Sequence, residues 1–171
     1  MKFDSLNRED VEKVREWRNK NLHALRTPFS LTKEQQEKFY DDIVCNRNAR
    51  ARYFGVKKGS DILIGMTGLE NIEWENGLAE ISIVIDPSER GKTYGEEAVY
   101  LLLKQGFENM RLNNIYGECY ACNPAIEFWK KIIKKYGMFE TYLPYRKFVD
   151  GKYYDSIYFS MSKSDWDDIT K

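Results

Sequence analysis

Residues 78–98 read LAEISIVIDPSERGKTYGEEA, and a change of period inside this stretch decides the fold. In Leu78–Asp86 the side chains alternate: Ala79, Ile81, Ile83 and Ile85 share one face, and Glu80, Ser82, Val84 and Asp86 share the other. This is a strand, and Pro87 ends it. Beyond Gly95, the residues Val99, Leu102, Leu103, Gly106, Phe107 and Met110 recur at helical intervals as one apolar stripe. A second strand, Asn114 to Cys119, follows. Strand, helix and strand in that order form a βαβ unit whose strands are parallel neighbours. Ligands of such units sit at the carboxyl ends of the strands, near the start of the crossover helix.

Upstream, Arg52–Lys58 and Ile62–Glu70 read as strands joined by Gly59-Ser60-Asp61, and Asn76-Gly77 turns the chain into the stretch quoted above. Two helix starts precede them. Asn7 caps one, with Val11, Val14 and Trp17 as its apolar stripe; Thr32 and Gln35 form a capping box for the other, which carries Phe39, Tyr40, Ile43 and Val44 inward. Downstream, a helix from Asn123-Pro124 to Tyr136 stops at Gly137, and Phe139–Val149 and Lys152–Met161 form an aromatic hairpin around Asp150-Gly151. The expected fold is α+β. A mostly antiparallel mixed sheet with one parallel strand pair is flanked by about four helices, in a single domain spanning residues 1–171.

The charges balance, 27 Lys+Arg against 27 Asp+Glu, which argues against a nucleic-acid partner. Lys130, Lys131, Lys134 and Lys135 fall on one helix face and read as solvated surface. No apolar run reaches the roughly 18 residues a membrane span needs, and the first 21 residues are charged throughout. A cytoplasmic protein without a membrane partner is expected. The odd count of three cysteines, Cys45, Cys119 and Cys122, speaks for reduced thiols. His23 is the only histidine, with no nucleophile motif near it, so a Ser-His-Asp triad is excluded.

The link Ser88–Gly95 is where an anion would bind. Gly91 and Gly95 let backbone N–H groups turn inward, the following helix offers unpaired donors, and Arg90 and Lys92 add positive charge. An ordinary glycine turn with solvated cations fits the same residues. The loop lacks the earlier glycine of a Walker motif and does not match the dinucleotide pattern.

Residues 83–98 resemble the acetyl-coenzyme A loop of the GNAT N-acetyltransferases, whose pattern is Arg/Gln-x-x-Gly-x-Gly/Ala. Arg90 and Gly95 fit, and Thr93 replaces the middle glycine. Asn123–Trp129 is similar to the family's Asn-x-x-Ala-x-x-Phe-Tyr helix start. The hairpin and the final Asp165-Trp166 resemble the branch containing ribosomal-protein N-terminal and spermidine acetyltransferases.

The resemblance implies direct transfer of an acetyl group from acetyl-CoA to an amine. It places Arg90, Gly91, Lys92, Thr93, Tyr94, Gly95 and Asn123 on the cofactor, with Val84 and Ile85 beside the pantetheine arm. An alkylammonium with a pKa of about 10.4 is roughly one part in a thousand neutral at pH 7.4, a penalty of about 4 kcal/mol that a base or a desolvating pocket must reduce. Glu80 is the first candidate base, acting through a water, with Glu70 and Glu73 in reserve; a solvated strand residue is the alternative for Glu80. The family's tyrosine acid is replaced by Trp129, so the thiolate leaves unaided or Tyr120 protonates it. Trp17-Arg18-Asn19 and the segment holding His23, Arg26 and Phe29 lie where the family builds part of its acceptor pocket, while core packing at the end of its helix's apolar stripe is the favoured reading of Trp17.

Two rivals stand beside this reading. Cys119-Tyr120-Ala121-Cys122 lies between a strand and a helix, as in a thiol redox centre, and Thr93 with Trp129 would suit an acyl-CoA-binding module without catalysis. The acceptor is a small-molecule amine or a protein N-terminus. No acidic cluster is visible along the chain, which argues against a polycation. Relatives are commonly dimers, so a homodimer is a further expectation.

Overall fold

A computed structural model describes residues 1–26 and 28–171. The order is β1 (Lys2–Asp4), α1 (Arg8–Asn19), α2 (Lys33–Phe39), β2 (Arg52–Lys58), β3 (Ile62–Glu73), β4 (Leu78–Ile85), α3 (Tyr94–Lys104), β5 (Asn114–Tyr120), α4 (Ile126–Tyr136), β6 (Phe139–Val149), β7 (Lys152–Ser162) and α5 (Lys163–Thr170). The strands make one sheet in the order β1-β2-β3-β4-β5-β7-β6, and only β4 and β5 run parallel. No helix among the described residues is long and apolar enough to cross a membrane.

Local chemistry accounts for the boundaries. Asn7 Oδ1 accepts from Asp10 N at 2.8 Å and Thr32 Oγ1 from Gln35 N at 3.2 Å, the two caps expected from the sequence. Asp150 and Gly151 both have positive φ, the requirement of the tight turn between β6 and β7. Three elements differ from expectation. α4 starts at Ile126, because the first turn after Asn123-Pro124 is not helical. The three-residue β1 is too short to show a period. α5 carries one dominant apolar residue, Trp166, which is buried against Phe107 and Tyr100 and donates to Glu108 Oε1 at 3.2 Å.

The alternation in β4 sets the two layers. Its isoleucine face, with Leu69, Ile115, Ile157 and Phe159 from neighbouring strands, packs against Val99, Leu102 and Leu103 of α3 and Trp129, Ile132 and Ile133 of α4. On the other face, Met66 and Val84 meet Val11 and Val14 of α1 and Phe39 of α2. α1 and α2 thus cover β2 to β4, while that same face of β5 and β7 carries Tyr116, Glu118, Ser156 and Tyr158.

Candidate active site

β4 and β5 pair only at Leu78↔Asn114, Ala79↔Ile115 and Glu80↔Tyr116. Beyond that point β5 stays with β7 and β4 stays with β3, so the strands part as a fork. The β4 edge from Ile81 to Ile85 is left without a strand partner on that side, a row of backbone donors and acceptors open to a ligand.

Where β4 ends, Asp86 Oδ1 accepts from Ser88 N at 2.8 Å, and Gly91 adopts φ +76°, a left-handed backbone that favours glycine. Glu89 accepts from Lys58 Nζ at 2.7 Å and from Lys92 Nζ at 2.9 Å, contacts that hold its carboxyl below the usual range. Two lysines share that one anion, and Arg90 leaves the loop cationic. α3 then begins without a side-chain cap: Thr93 Oγ1 donates to Glu97 Oε1 at 2.7 Å instead of accepting from the first turn. Its leading N–H groups are therefore available to an anion. Gly95 serves a different end, the close approach of α4: a Cβ there would sit 3.2 Å from the Phe128 ring, a tight contact.

A cleft of about 340 Å³ runs between this loop and the fork. Of the residues picked from sequence, Trp17, Val84, Ile85, Arg90, Gly91, Lys92, Gly95, Asn123 and Trp129 line it. Thr93 and Tyr94 flank it without forming its wall, and the Tyr94 ring faces Lys58 Nζ at 5.8 Å. Asn123 Oδ1 accepts from Ala125 N at 2.9 Å, bracing the turn into α4. Trp129 is also a core residue, 4.6 Å from the Phe159 ring. Sequence reading missed Asn21, Leu25 and Phe128 in the walls, and it gave Arg18 only as an acceptor-side neighbour. Arg18 Nε is buried with no hydrogen-bond partner, a donor left over for a ligand. An uncapped helix, a cationic loop, an open strand edge and an orphaned donor suit a pyrophosphate on an amide-bearing arm, so the residues present fit acetyl-CoA. Among the described residues no group of three His, Cys, Asp or Glu could hold a metal.

The candidate base is not a solvated strand residue. Glu80 is 5% exposed and lies outside the cleft wall, at the base of the fork. Arg26 pairs with both its oxygens, and Asn71 Nδ2 donates to Oε2 at 2.9 Å. Asn71 reaches it from a bulge in β3, at φ +52°. Glu70, register partner of Glu80, accepts from the Tyr53 hydroxyl. Glu118 lies on the same face of β5, held by Arg146 Nε at 2.8 Å and Ser156 Oγ at 2.6 Å. Burial raises the Glu118 pKa, but these two bonds, with the charges of Arg146 and Arg26, outweigh it and leave the group below its ordinary value. Tyr116 and Tyr158 stack at 5.7 Å beside the carboxylates; burial, then Glu80, pushes both phenols up.

Three strands therefore assemble Glu70, Glu80 and Glu118 on one face, correcting the expectation that no acidic cluster exists. Tyr120 stands at the end of β5 outside the cleft wall, its ring 5.7 Å from Lys147 Nζ. Cys119 is buried and its thiol is pushed up to about 12 by burial, the reverse of what a redox thiolate needs.

A family model for the acetyltransferase (GNAT) domain matches residues 2–138. The chain belongs to the GNAT acetyltransferases. As a GNAT enzyme it is an N-acetyltransferase that takes its acyl group from acetyl-CoA. An uncharacterized N-acetyltransferase p20 from Bacillus licheniformis is 28% identical over 144 residues, covering 82% of this chain and 78% of that one. Mutant forms of the spermidine/spermine N-acetyltransferase SpeG from Vibrio cholerae share the GNAT fold at TM-score 0.85 and 21% identity, covering 99% and 98% of the two chains. A structure of spermidine N-acetyltransferase from the same organism with CoA and spermine gives TM-score 0.83 at 22% identity, covering 96% of each.

Proposed function

We propose that this enzyme acetylates a small, cationic amine, held at the base of the β4–β5 fork. The observation that carries the reading is the position of Glu80 and Glu118. Both are nearly buried carboxylates on one sheet face, at the closed end of a fork whose open end faces the cationic loop. Carboxylates fixed in a sheet attract an alkylammonium, and the stacked Tyr116 and Tyr158 rings offer it π faces. The spermidine and spermine named for the neighbouring structures are amines of this kind.

Acetyl-CoA supplies an activated thioester. In this reading the amides at the start of α3, with Arg90, hold its diphosphate, and Gly91, Lys92, Thr93, Tyr94 and Gly95 shape the turn around it. The open edge at Val84 and Ile85 aligns the pantetheine, supported by Asn123 and the orphaned donor of Arg18. Glu80 takes the amine's proton through a water, and Glu70 and Trp17 border the acceptor. Trp129 carries no acid, and Tyr120 lies outside the cleft wall, between Lys147 and the Arg26 guanidinium, which supports a thiolate that leaves unprotonated; a thiol of pKa about 8.5 permits this. A panel of mono-, di- and triamines with acetyl-CoA, read by free thiol, tests the proposal. Turnover rising with acceptor charge is expected, and turnover confined to uncharged or peptide amines would overturn it.

A further inference from the structure

Arg26 reaches the sheet from the segment between α1 and α2 and lands at the crotch of the fork. Its Nη1 donates to Glu80 Oε2 at 3.2 Å, its Nη2 donates to Glu80 Oε1, and the same Nη2 stands 3.9 Å from Glu118 Oε2. Glu80 occupies the last paired position of β4, and Glu118 lies two residues past its partner Tyr116 on β5. One side chain thus bridges the two strands where they separate.

The partners are unequal in freedom. The Glu80 and Glu118 side chains are 7% and 9% exposed and fixed by the sheet, whereas that of Arg26 is 51% exposed. Its backbone is nevertheless pinned. Lys147 on β6, itself buried, donates from Nζ to the carbonyl oxygens of Leu25 at 2.5 Å and Arg26 at 3.0 Å. The guanidinium can therefore swing into solvent by side-chain rotation while the segment that carries it stays in place.

Resting on the reading that Glu80 faces the acceptor, we infer that Arg26 is a built-in counter-ion that the incoming ammonium must displace. In the free enzyme it neutralises Glu80, whose other bond comes from the uncharged Asn71, and adds a second cation beside Glu118, which Arg146 already pairs. When an acceptor cation replaces it, Glu80 gains an oxygen free to take a proton, and a neutral amine, unable to compete with a guanidinium, leaves the pair closed. Arg26 sets selectivity for charged acceptors, as a positioning residue acting through Glu80.

The test measures binding of butylamine and diaminobutane by calorimetry to the enzyme saturated with coenzyme A, comparing wild type, Arg26→Gln and Arg26→Lys. Arg26→Gln should bind diaminobutane at least tenfold more tightly and lower its KM by a similar factor. Arg26→Lys, which gives up the two-pronged contact but keeps a charge, should gain about threefold. Coenzyme A affinity should stay at the wild-type value. Equal or weaker diamine binding in Arg26→Gln, or absence of binding in both, overturns the inference and makes Arg26 a structural tie. Should Arg26→Gln fail to fold, the Arg26→Lys value decides by the same criterion. If wild type binds the diamine yet acetylates no amine, the proposed acceptor class fails while the comparison of affinities still judges Arg26.

Discussion

Glu80 carries the chemical burden proposed here, and it does so from a buried position with Arg26 and Asn71 already on its oxygens. Replacing it by glutamine removes the proton acceptor and keeps the shape. Turnover of Glu80→Gln should fall about 10²-fold near neutral pH and recover toward wild type as the pH approaches the amine's own value of about 10.4, where no base is needed. Parallel pH profiles for the two proteins would remove Glu80 from the role. Glu118 makes a separate prediction about stability. Its folded pKa lies below the unfolded value of about 4.3, so its contribution is complete above that pH and is lost as the pH falls through the folded value. Glu118→Gln should therefore be less stable than wild type at pH 7 and should lose less melting temperature between pH 5 and pH 3. A slope equal to that of wild type would show that Glu118 is not the titrating group.

At the scale of elements, the turn from β4 into α3 depends on Gly91, whose φ of +76° an L side chain adopts at a cost of roughly 1–2 kcal/mol. A Cβ at this position meets nothing within 4 Å, so crowding does not add to that cost. Gly91→Asp should thus leave a folded enzyme with coenzyme A affinity reduced tenfold or more by charge repulsion, and wild-type affinity would contradict the anion site. Most of this unit was readable in the sequence, because its information is local: alternation in Leu78–Ile85, a glycine turn, then a helical stripe. The acceptor side was not. Glu118 is far along the chain from the hairpin partners Glu70 and Glu80 and joins them only through the β4–β5 pairing, Arg26 arrives from a segment with no period, and a bulge aims Asn71. Charge counting could not find a cluster that exists only in the folded sheet.

For the molecule as a whole, balanced charge conceals two different ion-pair clusters: at the carboxyl end of β4 two lysines share Glu89, and at the fork's base on the α1–α2 face Arg26 bridges Glu80 and Glu118. On the proposed reading, the anionic donor and the cationic acceptor meet different ends of one opening. Helices on both faces brace the arrangement, and Trp166 of α5 closes the far side of the core.

The seam between β4 and β5 is only three register pairs long, so the sheet is two plates, β1-β2-β3-β4 and β5-β7-β6, joined by a short backbone hinge and the helices packed across it. A pantetheine arm lying along the free edge would act as a temporary extra strand. Amide deuterium uptake at Ile81–Ile85 on the open side should be fast in the free chain and slow at least tenfold with coenzyme bound, while amides paired to β3 hardly change. Uptake unaffected by coenzyme would mean that the gap is not bridged. A donor bound in this way would complete the sheet that positions it, and the two plates should then unfold more cooperatively in its presence than in its absence.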